Sequence, residues 1–452
     1  MMKNKGFLKG AAIVAAGGFI AKLIGAIYRI PLTNLIGGRG IGLYQMVYPF
    51  YCLLLTVSAT GIPSSIAALE SAERAKGERG RRVLAPAMKL FLLIGGAGTI
   101  LMLAISPLLA SAQGEKSLVG GYIVLAPSVF LVSAISVFRG WFQGRMDMRP
   151  TAASEITEQL VKVGFGLLFA YLYRENIEKA VTMLLLAVTI SEVVALLLMV
   201  FFYKRVPAPE LLKKDRGRVG AKEILKVSIF VTLSSALLPL SNLVESVMLV
   251  RLMDGYTSEA VTLYGLFSGG AVTIINLPVS VCYGLAAASV PAVSQAKTDY
   301  GAGDENFVRK RIVFSLLITL LVSLPCAVGL YFFAPTVVDI IYRSLSAMEK
   351  ETLVHLVKAF SVSAVTLSCL QTLSACLTAQ GKPRYSMIAM AIGVGVKILL
   401  DFLLVSNARF SILGAVIASN VCYALVFVID FIWNMRLTRT KPQANSSPAS
   451  IK

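Results

Sequence analysis

Residues 8–32, LKGAAIVAAGGFIAKLIGAIYRIPL, decide the fold. The run is about as long as a helix rising ~1.5 Å per residue needs to cross a hydrocarbon layer of ~30 Å. Its apolar residues are continuous, whereas a membrane barrel would alternate polar and apolar residues in segments of about ten. Lys3, Lys5 and Lys9 precede it in the manner of a signal peptide. Lys22 and Arg29 interrupt its far half, however, and no small-residue cleavage site closes it, so the span is expected to be retained. Reading outward in the same way gives about twelve spans: 8–32, 41–69, 83–109, 118–138, 152–173, 180–203, 224–252, 261–293, 312–333, 353–379, 387–406 and 412–433. The expected fold class is therefore an all-α membrane protein.

Composition agrees, because 56% of the 452 residues are hydrophobic and 15% charged, with a mean hydropathy of +0.76. A soluble domain could not cover that much apolar surface. Basic residues crowd alternate loops: Arg74 to Arg82, Arg139 to Arg149, Lys213 to Arg218, Arg309 to Arg311, and Lys382 with Arg384. By the positive-inside bias those loops and both termini are cytoplasmic, in a multi-pass protein of the cell membrane. The net charge of +19 is then mostly topogenic, and no nucleic-acid partner is implied. Six cysteines lie within apolar runs and read as packing residues; the single histidine, His355, has no metal-ligand pattern around it, so neither metal nor cofactor is expected.

The chain divides at its longest basic loop into an N-lobe (1–203), a linker (204–222), a C-lobe (223–436) and a disordered cytoplasmic tail (437–452). Leu43-Tyr44 and Leu263-Tyr264 open the second helix of each half. Gln143-Gly144 with Pro150, and Gln380-Gly381 with Pro383, follow the fourth, and the next helix carries Lys162 or Lys397. An even number of spans separates the copies, so the halves are read as parallel six-helix repeats around a central cleft.

Charges inside spans cost at least ~2.5–3.5 kcal/mol each and need a partner or a task. Glu158 with Lys162, and Lys397 with Asp401, are four apart on their helices and are expected to form structural bridges. Lys22 and Arg29 lie two turns apart on one face, and residues 1–69 contain no Asp or Glu. With Arg39 and Arg251 they are expected to line both walls of the cleft, where lysine and arginine grip phosphate. Glu245 and Glu192 are candidates for charge balance or ion coupling. Glu245 is placed to meet the first-helix cations, and Glu192 lies on a helix expected to face outward.

Lys22-Leu23-Ile24-Gly25-Ala26-Ile27-Tyr28-Arg29-Ile30, then Leu35-Ile36-Gly37 and Gly42-Leu43-Tyr44-Gln45-Met46, resemble a known family. It is the polysaccharide-biosynthesis, stage V sporulation protein B-like branch of the multidrug/oligosaccharidyl-lipid/polysaccharide (MOP) exporter superfamily. The resemblance implies two six-helix bundles that export lipid-linked cell-envelope precursors, in some relatives the peptidoglycan precursor, and a role in sporulation. It also implies cell-envelope synthesis proteins as partners. About twelve spans are fewer than the fourteen of the peptidoglycan flippases, whose extra pair forms a groove for the lipid tail. The expected cargo is a polyprenyl-pyrophosphate-linked sugar whose tail stays among the membrane lipids, moved by alternating access without a covalent step. A drug and organic-cation antiporter should instead carry an acid in its first lobe. A glycosyltransferase would need carboxylates on a large external loop, and a non-transporting assembly scaffold should tolerate loss of the cleft charges.

Overall fold

The computed structural model describes residues 3–60, 62–75, 83–206, 221–282, 293 and 305–438, and its regular structure is helical. In the N-terminal half the helices are α1 (Lys3–Leu55), α2 (Ile62–Ala75), α3 (Leu84–Ala112), α4 (Leu118–Leu125), α5 (Pro127–Gly144), α6 (Arg149–Leu172) and α7 (Ile177–Lys204). The C-terminal half comprises α8 (Ala221–Asp254), α9 (Ala260–Gly265), α10 (272–282), α11 (Glu305–Ile341), α12 (Ala347–Ala379), α13 (Pro383–Val405) and α14 (Leu413–Leu437). Most of the 204–222 linker and of the 437–452 tail lies outside the described residues.

Among the described residues, ten helices are long and apolar enough to cross a bilayer. The expected twelve transverse segments are recovered when α1 is read as two legs and α6 is added, a helix whose apolar run is broken by Glu155, Glu158 and Lys162. Helix α1 has 53 residues, which would reach about 80 Å if straight. It turns back at Gly37 (φ 68°, ψ −176°), a backbone conformation open to glycine and strained for any residue with a Cβ. The fold-back brings Tyr28 and Arg29 on the first leg beside Tyr44 and Tyr48 on the second. A Cβ at Gly37 would meet no atom within 4 Å, so Gly37→Ala should be penalised by the backbone alone. A loss of about 1–3 kcal/mol is expected, read as a lower melting temperature in detergent; unchanged melting would mean that the reversal does not depend on this dihedral.

The second segment of each half contains a π-helical turn, Thr56–Thr60 in the first and Leu266–Ala271 in the second. The fifth segments, α6 and α13, both begin with proline in the first turn, after a left-handed residue: Met146 (φ 64°) in one half and Gly381 (φ 77°) in the other. Shared irregularities at matching places support the internal repeat.

One apolar cluster draws on both halves, joining Leu32, Ile36, Ile41 and Met46 to Leu249, Val250, Tyr264 and Phe267. Toward the opposite end each half has its own cluster, built around Phe91, Trp141 and Met199 in one and Ile312, Leu373 and Cys376 in the other. Halves packed together at one end and separately at the other enclose a cleft. At the joined end, α9 crosses the second leg of α1 so closely that a Cβ on Gly265 would lie 2.2 Å from the Gly38 carbonyl oxygen. Asn34 donates to the Ile341 carbonyl at 2.7 Å, and the Ser344 hydroxyl donates to the Asn34 carbonyl at 2.6 Å. Large apolar side chains such as Leu108, Leu321 and Phe332 point outward, where lipid is the solvent that covers them.

Candidate functional site

Two adjoining cavities occupy the cleft. The first, about 280 Å³, lies between both legs of α1, α6 and α10 and is lined by Tyr28, Arg29, Tyr44, Tyr48, Lys162 and Asn276, among others. The second, also about 280 Å³, opens toward α8, α12, α13 and α14 and includes Glu245, Tyr264 and Lys397 in its wall. Arg29, Tyr48 and Asn276 line both, so the chambers meet at the arginine.

The internal repeat extends into this chemistry. Tyr44 and Lys162 line the first chamber, and their counterparts Tyr264 and Lys397 line the second. The two lysines sit in opposite electrostatic settings. Lys397 Nζ is 2.5 Å from Glu245 Oε1 and 3.3 Å from Asp401 Oδ2, with the group almost wholly buried. Ser241 donates to Glu245 Oε1 at 2.9 Å, and Asp401 Oδ1 has no hydrogen-bond partner among the described residues. Counted with both acids ionised, that triad has one negative charge in excess.

Lys162, by contrast, makes no ion pair with a described residue. Glu158, its neighbour one turn away, is drawn to Arg139 on α5 at 3.0 Å. Arg29 is half-buried and donates from Nη1 to Thr273 Oγ1 at 3.0 Å across the cleft. Among the described residues, the lining of the first chamber thus holds two cations and no carboxylate. In a water-poor setting such a pair strongly favours an anion that presents several oxygens.

Residues 7–297 match the family described as polysaccharide biosynthesis protein. The chain belongs to that family. Residues 231–403 also match the MatE family. Among curated relatives, stage V sporulation protein B of Bacillus subtilis is 26% identical, over 92% of this chain and 81% of its own. The lipid II flippase MurJ of the same organism is 22% identical over 94% and 82%. Of solved structures, an inward-facing multidrug resistance MATE family transporter of the MOP superfamily superposes with a TM-score of 0.78 at 17% identity, covering 92% of this chain and 94% of its own. A MOP superfamily transporter from Pyrococcus furiosus, noted for reversed polarity of its binding pocket, gives 0.70 at 20%, covering 96% and 95%. The chain is thus a multi-pass membrane protein of the polysaccharide biosynthesis protein family, and it shares the two-bundle fold of the solved MOP superfamily transporters.

Several expected placements are corrected within it. Lys162 does not bridge Glu158, because Arg139, expected in a loop, lies inside α5 and takes the carboxylate with a shorter reach. Arg39 and Arg251 do not line the cleft. Arg39 pairs with Glu115 at 2.9 Å at the joined end of the bundle. Arg251 donates from Nε to the Ala112 carbonyl at 2.6 Å and also to the Ser111 carbonyl, so it caps the last carbonyls at the negative end of α3 and ties it to α8.

Glu192 faces inward rather than to lipid. It is 3% exposed and sits near Tyr51, with the charges of Glu158, Arg139 and Lys162 around it. Glu245 meets Lys397 and not the first-helix cations. Asp430, close to the end of its span, is buried and accepts from Ser374 at 2.5 Å. The Lys397–Asp401 pair forms as expected, with Glu245 as a third member. The side chain of Lys22 lies outside the described residues. Sequence reading overlooked the uncharged lining, chiefly the tyrosines and Asn242 and Asn276, since amides and phenols inside apolar helices carry no periodic signal.

Proposed function

We propose that this protein is a flippase for a lipid-linked sugar carried on a phosphate or pyrophosphate, serving cell-envelope or spore-envelope synthesis. The observation that carries the reading is the first chamber, in whose described lining there is no acid and where Arg29 and Lys162 face shared space without an ion-pair partner among the described residues. The relationship to stage V sporulation protein B and to lipid II flippase MurJ supports the same cargo class. In this reading the phosphate binds Arg29 and Lys162 near midplane, while the lipid tail remains in the bilayer.

The halves 1–203 and 223–436 then rock about the cleft. The charge bias of the loops puts both termini in the cytoplasm and makes the joined end, with Gly38, Arg251 and Ser344, the outward face of a plasma-membrane protein. Opening that end requires separation of Gly265 from Gly38 and of Asn34 from Ile341 and Ser344.

The test is translocation of a labelled polyprenyl-pyrophosphate sugar in vesicles containing the purified chain. Loss of one charged contact to phosphate should cost about 1.5–3 kcal/mol, so Lys162→Ala is expected to slow translocation about tenfold or more at matched protein. Absence of translocation by the wild-type chain, or equal rates in the variant, would remove the reading.

A further inference from the structure

The second chamber is unlike the first, and its lining has the chemistry of a carbohydrate subsite. Tyr423 is half-buried and is held by stacking on the buried Phe360, with centroids 6.5 Å apart and planes inclined by 24°, and the half-buried ring of Tyr48 closes the side toward Arg29. Such rings offer flat apolar faces to the C–H face of a pyranose, and a good pocket adds a few well-placed polar groups to such walls. The side chains of Asn242 and Asn276, and the hydroxyls of Tyr48 and Tyr423, line the space and hydrogen-bond to no described residue. Free amides and hydroxyls of this kind match sugar hydroxyls and acetamido groups, which both donate and accept.

Charge then narrows the sugar. Arg29, Lys397 and Glu245 are the charged groups of its wall; with Arg29 taken up by the phosphate, Lys397 is left against Glu245 and, behind it, Asp401, one negative charge in excess when both acids are ionised. A uronic acid or other carboxylate-bearing unit would be repelled there, whereas a neutral sugar would not. Because the chambers meet at Arg29, a molecule whose phosphate lies at Arg29 and Lys162 has its first sugar directed into the second chamber.

Resting on the phosphate-binding reading of the first chamber, we propose that the second chamber binds the phosphate-proximal sugar of the cargo and selects an uncharged, hydroxyl- or acetamido-bearing unit over an acidic one.

Competition binding by the full chain in nanodiscs tests this, with a fluorescent polyprenyl pyrophosphate as tracer. The competitors are unlabelled polyprenyl pyrophosphate, its N-acetylglucosaminyl derivative and its glucuronyl derivative. Two or more hydrogen bonds of about 0.5–1.5 kcal/mol each predict that the N-acetylglucosaminyl lipid binds about tenfold tighter than the bare pyrophosphate. The glucuronyl lipid should bind no tighter than the bare one. In the Asn242→Ala, Tyr423→Phe double variant the preference should vanish while affinity for bare pyrophosphate is kept, which also reports that the variant is folded.

Equal binding of bare and N-acetylglucosaminyl lipids by the wild type, or a preference that survives in the double variant, overturns the proposal. Glucuronyl binding as tight as N-acetylglucosaminyl binding overturns the charge selection. If bare pyrophosphate itself fails to bind, or binds with no dependence on Arg29, the phosphate reading falls and takes this inference with it.

Discussion

Arg29→Ala is expected to cut translocation of a polyprenyl-pyrophosphate-linked sugar by about ten- to a hundredfold, the converted cost of losing a charged hydrogen-bonding contact to phosphate of about 1.5–3 kcal/mol. The effect should exceed that of Lys162→Ala for two reasons. Arg29 lies where the chambers meet, and a guanidinium fork engages two phosphate oxygens where an ammonium acts as a point charge. Arg29→Lys should therefore recover part of the rate and not all of it. The only described hydrogen bond lost is the one to Thr273, so expression and melting should stay near wild type. Initial rates in proteoliposomes at matched protein, with all three variants side by side, provide the measurement. A rate within twofold of wild type for Arg29→Ala would end the assignment.

Lys397→Met is expected to have the larger effect on folding. It would leave Glu245 and Asp401 facing each other without a cation, both nearly excluded from solvent. Removing one partner of a buried ion pair destabilises by about 3–5 kcal/mol, because the remaining charge is stranded in a medium of low dielectric. Thermal melting in detergent should show a marked loss for Lys397→Met. Combining it with Glu245→Gln and Asp401→Asn should restore most of that loss, since the stranded charges go with their partner. Asp401→Asn alone should be tolerated, because it leaves Lys397 and Glu245 as a one-to-one pair 2.5 Å apart. Failure of the triple variant to recover would show that the lysine acts through packing and not through charge.

The arrangement of Lys162 and Lys397 shows where reading along the chain stops being sufficient. Both lysines have an acid four residues away on the same helix, Glu158 before one and Asp401 after the other, and spacing predicts a bridge in each case. Spacing describes one helix and says nothing of a neighbour. Arg139 arrives from α5 and removes Glu158 from Lys162, while Glu245 arrives from α8 and adds to the charge on Lys397. A symmetric pair in the sequence becomes one available cation and one neutralised cation, and the asymmetry is what makes the first chamber a place for phosphate.

The number of spans, their helical nature, the two-fold repeat and the presence of cations in an acid-free opening segment were all determined by the sequence alone. Bilayer thickness imposes a length on each apolar run, and burial of charge in lipid is so costly that each exception stands out against its neighbours. Facing was decided only by the tertiary structure. A membrane helix that is apolar nearly all round carries little periodicity to say which side looks inward, so the rotation of α7 that buries Glu192 had no signature. The same holds for the fold-back at Gly37 that sets Tyr28 beside Tyr44, and for the reach of Arg251 to the end of α3. These depend on which helices meet, and the partners are far apart in the chain.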